Sequence, residues 1–158
     1  MSRLSAIPLA CVFVAASSAV FASNASAAEA PSPSTLPIPR SVPASVPTVN
    51  TPDTSEFYTA LNGTHYRYRC LSPFTAPGEQ AAVEVCEIPP VELQLQGWPE
   101  TEVIQLISGQ VQITEANGAQ QHYQAGDIFV LPQGFKGIWK QPATITKVTV
   151  RHPLYWKD

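Results

Sequence analysis

From residue 57 onward, glycine and proline cut this chain into short stretches of alternating polarity, each too brief for a multi-turn helix and suited to a half-buried strand. Residues 65–70 place Tyr66, Tyr68 and Cys70 on one face and two arginines on the other, and residues 91–96 set Val91, Leu93 and Leu95 against Glu92, Gln94 and Gln96. No stretch sustains an amphipathic helical spacing. An all-β fold follows.

Strands are expected at residues 65–70, 81–88, 91–96, 102–107, 110–114, 121–123, 128–131, 138–140 and 144–151. Residues 72–78, with Pro73 and Pro77, are expected as a loop. Asn117-Gly118 predicts a hairpin pairing residues 111–113 with 121–123, because that dipeptide takes positive φ readily. Gly97-Trp98-Pro99 and Pro132-Gln133-Gly134 supply further turns. Short strands at this spacing suit a sandwich or small barrel.

The chain ahead of this zone has another character. Residues 1–28 carry Arg3, an apolar run over 4–21 and the small-x-small site Ala25-Ser26-Ala27, the pattern of a secretory signal cleaved after Ala27. Pro8, Ser17 and Ser18 interrupt the run, so a retained membrane anchor is disfavoured and no membrane association is expected after cleavage. Residues 29–56 hold seven prolines and are expected as a disordered linker, leaving 57–158 as one domain in a periplasmic or secreted protein. Cleavage removes Cys11. Cys70 and Cys86 then remain and are expected to pair in an oxidising compartment, a closure contributing about 3 kcal/mol, with two free thiols as the alternative.

Between Cys70 and Phe135 lie eight acids and no lysine or arginine, whereas Lys136, Lys140, Lys147, Arg151 and Lys157 follow. Cross-strand pairing between an acidic middle and a basic last strand is the simpler reading; an anion-attracting rim is the alternative. With a net charge of −3 and no basic cluster, a nucleic-acid partner is not expected.

Two punctuated stretches carry a resemblance: Glu102-VIQLIS-Gly109 and Gly126-DIFVL-Pro132-Q-Gly134. They resemble both halves of the cupin double motif, and the region 102–150 is similar to the cupin domain of the (S)-ureidoglycine aminohydrolase type, which includes ethanolamine-utilisation cupins. Gly134-Phe-Lys-Gly-Ile-Trp139 resembles the short aromatic strand of that group, and Thr144-Ile-Thr-Lys-Val-Thr-Val150 its closing strand. The resemblance implies a single-domain jelly-roll barrel with Glu102, Ile104 and Leu106 facing its interior.

It also implies a metal site that these residues do not reproduce. The family's H-x-H positions fall on Gln96 and Trp98, or on Leu95 and Gly97; its third histidine falls on Gly137, and Gln141 replaces the final asparagine. One carboxylate without an imidazole is a poor transition-metal site, so no metal or other cofactor is expected. His65, His122 and His152 lack ligand spacing, with His65 the exception if its strand crosses the mouth. Glu100 is expected to be solvated there.

Three functions stay open. In the first, a metal-free barrel binds a carbohydrate- or amine-like metabolite, with Trp98 and Trp139 as apolar walls and Gln96 and Glu102 as polar anchors. The second is an enzyme, a ureidoglycine-type hydrolase or an isomerase, using Glu102 as acid or base. Last comes a structural module, for which a homodimer through sheet edges is the natural partner.

Overall fold

The structure, a computed structural model, describes residues 35–151. The expected signal at 1–28 with its Ala27 site lies outside the described residues, as do the first residues of the expected linker and His152. Eleven strands run β1 Val49–Asn50, β2 Tyr58–Ala60, β3 Arg67–Thr75, β4 Ala82–Ile88, β5 Val91–Gln96, β6 Glu102–Ser108, β7 Gln110–Glu115, β8 Gln120–Gln124, β9 Ile128–Leu131, β10 Lys136–Gln141 and β11 Ile145–Arg151. They form a six-stranded sheet, β1-β3-β4-β11-β6-β9, and a five-stranded sheet, β2-β5-β10-β7-β8, with antiparallel pairing throughout. This is the all-β jelly roll that the resemblance implied.

Period-two alternation decides what the barrel encloses. Leu93 and Leu95 from β5, Ile104 and Leu106 from β6, Val111 and Ile113 from β7, and Trp139 from β10 fill one continuous core. The predicted hairpin has the expected register, Val111 opposite Tyr123 and Ile113 opposite Gln121. Within its turn only Gly118 takes a positive φ, while Asn117 instead accepts the Ala119 amide on Oδ1 at 2.8 Å. A second Asn-Gly pair, Asn62-Gly63, has φ of 54° and 69° and closes a tight turn from Leu61 to Thr64 behind β2, a strand absent from the expected set.

Two expectations are corrected. The loop foreseen at 72–78 is strand as far as Thr75, because the β3–β4 register shifts between Leu71 and Phe74 and so admits Pro73 at an irregularity where its missing amide costs no ladder bond. Part of the chain expected as a linker up to residue 56 packs on the domain, from Val42 onward. There Val42 is buried with Val85 and Val148 on the outer face of the six-stranded sheet, Val46 packs beside them, and β1 pairs with β3. Proline-rich chain forms no core of its own, yet lying extended it covers an apolar sheet face with two valines.

Cys70 and Cys86 are directly opposed on β3 and β4 and form the expected disulfide, with Cα atoms 4.1 Å apart.

Candidate functional site

A polar line crosses the apolar barrel. Glu102 opens β6 with the same parity as Ile104 and Leu106 and is 3% exposed. Its Oε1 accepts a hydrogen bond from the Trp98 indole N–H at 3.1 Å, and its Oε2 accepts one from Lys147 Nζ at 2.9 Å. Lys147, also buried, lies with its ammonium 5.7 Å from the Trp139 ring centroid, where the π face favours a cation. Behind it, Trp139 Nε1 donates to Gln141 Oε1 at 2.8 Å, and Gln141 Nε2 donates to the carbonyls of Ile88 and Pro89 at 2.9 and 2.7 Å. Gln141, which replaces the motif's asparagine, thus holds the β4–β5 turn in place.

Backbone geometry explains how Trp98 reaches the carboxylate. The Pro132-Gln133-Gly134 turn is laced to it in both directions: Gly134 N–H donates to the Trp98 carbonyl at 2.7 Å, and Trp98 N–H donates to the Phe135 carbonyl at 3.0 Å. Gly134 has φ of 78°, a conformation that favours glycine. The P-x-G turn therefore positions an indole on Glu102.

Glu102, Lys147 and Trp98 line a cleft of about 600 Å³ together with Tyr58, Tyr66 and Tyr68. The tyrosines touch in sequence, Tyr58 to Tyr66 edge-on with centroids 5.1 Å apart and Tyr66 to Tyr68 tilted at 5.5 Å. Loss of solvation, and next the Glu102 charge, hold the Tyr66 phenol well above the ordinary tyrosine range. A second ion pair closes the same cleft, Arg151 donating from Nε and Nη2 to the two Glu84 oxygens at 2.9 and 2.6 Å.

Of the residues expected at the site, Trp98 and Glu102 come together in the cleft. Trp139 lies behind Lys147, on a small void of about 20 Å³ that it shares with Gln141, rather than on the cleft wall. Gln96 is a correction: the parity that turns Leu93 and Leu95 inward turns Gln96 outward, where it is exposed and donates to Thr59 Oγ1 at 2.9 Å. Glu100 is another, since it is fully buried, with Arg151 Nη1 3.6 Å from its carboxylate. His65 sits at the surface against Asp53 at 2.8 Å, and His122 is exposed on β8.

The donor set does not fit a transition metal. Both Glu102 oxygens are engaged, one by an indole and one by an ammonium whose own positive charge opposes a cation beside it. A Cβ at Gly137, the third histidine position, would run into the Thr114 carbonyl oxygen. Among the described residues, Cys70, Glu84 and Cys86 also cluster, but both sulfurs are tied up in the disulfide.

The model for EutQ-like cupin domains matches residues 75–148, a span running from the end of β3 into β11 and including Glu102 and Lys147. That matched stretch is a cupin domain. Among solved structures, the chain is similar to a Pseudomonas syringae pv. tomato protein of the DUF861 family, at 19% identity and a TM-score of 0.56 over 70% of this chain and 46% of that one. It is also similar to the Clostridium difficile EutQ protein, at 17% identity and a TM-score of 0.48 over 58% and 71% of the two chains. A cupin-like protein of Thermotoga maritima follows at 11% identity and a TM-score of 0.48, over 66% and 78%. The likeness to the Pseudomonas protein is one of fold, and the chain spans less than half of that protein's length. No curated protein matches the chain.

Sequence reasoning passed over Lys147, Arg151 and Glu84 as site residues. Their pairings, with Lys140 to Glu92 at 3.2 Å, are the cross-strand pairs that the uneven charge pattern suggested. The available signal was parity, since Ile145, Lys147, Thr149 and Arg151 alternate along one face of β11.

Proposed function

We propose that this cupin is an exported, metal-free binding protein that takes a small polar metabolite, carbohydrate- or amine-like, into its barrel mouth. The observation that carries this is the buried Glu102–Lys147 pair at 2.9 Å, lining a cleft of about 600 Å³ together with Tyr58, Tyr66, Tyr68 and Trp98. A concave site with aromatic walls and a few fixed polar groups is the usual form of a small-molecule pocket. The ammonium supplies a fixed positive charge without a metal, and the carboxylate with the Trp98 indole fixes its position. The disulfide supports export, because such bonds persist in oxidising compartments. In this reading Trp98 serves as a wall and Glu102 as an anchor, Lys147 takes the place assigned to Gln96, and no nucleic-acid partner is invoked.

A thermal-shift screen of sugars and amines tests this reading. A ligand at concentrations well above its Kd raises the Tm of the native protein by several degrees, and the shift disappears in a folded Glu102→Gln variant. Equal shifts in both proteins remove Glu102 from the site.

A further inference from the structure

The cleft's charged groups are largely committed to one another, and this narrows what can enter. Lys147 is held by Glu102 and Arg151 by both oxygens of Glu84, while Glu56 adds a third carboxylate to the lining. An incoming acid would face three carboxylates and two cations already paired. An incoming amine would meet Glu56 only as an exposed, solvent-screened carboxylate, and to reach a buried one it would have to displace Lys147 or Arg151 from its partner, leaving a cation buried and unpaired.

Hydrogen-bonding capacity without net charge is nevertheless available. Thr149 stands on β11 between Lys147 and Arg151, lines the cleft and is 1% exposed, yet its hydroxyl makes no hydrogen bond among the described residues. Arg151 Nη1, 3.6 Å from Glu100, likewise has no hydrogen-bond acceptor there. A buried hydroxyl without a partner is costly; Thr149 O–H and Arg151 Nη1–H can both donate, so an acceptor satisfies them, and a neutral hydroxyl accepts without adding to the three carboxylates of the lining. Tyr66 and Tyr68 line the same cleft and offer aromatic surface with phenol hydroxyls.

We infer that the cleft selects a neutral, hydroxyl-rich ring, a carbohydrate-like ligand, over amines and acids, with Thr149 as a hydroxyl contact; this rests on the binding reading above. Calorimetric titration of the intact protein with a matched panel tests it: neutral methyl glycosides of the gluco, galacto, manno and xylo series, the corresponding amino sugars, and the corresponding uronic acids. At least one neutral glycoside is expected to bind, with its charged counterparts about tenfold weaker or worse. Thr149→Val should lose about tenfold for that glycoside, a hydrogen bond's worth, and Thr149→Ser should retain it. Charged counterparts binding as tightly as the neutral sugar, or Thr149→Val binding like the native protein, would overturn this inference while leaving the cleft as a binding site. Absence of binding across all three sets would overturn both.

Discussion

Lys147 and Glu102 bring two opposite charges into the barrel with side chains only 9% and 4% exposed. Such a pair is tolerated because each ion is the other's solvent, and removing one partner costs about 3–5 kcal/mol since the survivor stays buried and uncompensated. The Glu102 charge also acts on Tyr66, whose phenol is raised first by desolvation and then by that carboxylate. The sign of the resulting pH dependence is fixed. With its folded pKa above the unfolded value of about 10, Tyr66 contributes stability that is fully present below that value and is lost as pH rises through the folded pKa. Denaturant unfolding from pH 9 to pH 11 should therefore show a fall in stability that is shallower in Tyr66→Phe; identical slopes would contradict the assignment. Glu102 was legible in the sequence because Ile104 and Leu106 share its parity against exposed Val103 and Gln105. Lys147 was not, because Lys147, Thr149 and Arg151 alternate with Val148 and Val150 in the sense that ordinarily points polar groups to solvent, whereas here Val148 packs beneath Val42 and the polar side chains turn inward.

Among the elements, the segment from Val42 to Asn50 is the one whose composition misleads most. Its prolines exclude a core of its own, but the outer face of β4 and β11 offers Val85 and Val148, and burying an aliphatic side chain such as Val42 contributes about 1.5–3 kcal/mol. Relative to a protein beginning at residue 35, one beginning at residue 51 should be less stable by about 2 kcal/mol or more in urea; equal midpoints would show that the segment adds nothing. The hairpin at Gly118 was readable because its turn chemistry is local. The extension of β3 past Pro73 was not, because only pairing with β4 reveals the irregularity that accommodates the proline.

At the scale of the whole molecule, the glycines and Pro132 made the barrel legible, since each answers a backbone requirement set within a few residues. The chemistry of the site was less so. It depends on contacts between residues far apart in the chain, 45 positions for Lys147 with Glu102 and 67 for Arg151 with Glu84, which no local pattern announces. Their outcome is a cupin in which an ammonium, held by a carboxylate and set over an indole, stands in the polar centre. The most direct test is the metal content of the natively folded protein, measured by elemental analysis after purification and again after incubation with manganese, iron, nickel and zinc salts followed by desalting. The account predicts far less than one transition-metal ion per chain in every case. One ion per chain, lost on Glu102→Gln substitution, would contradict it.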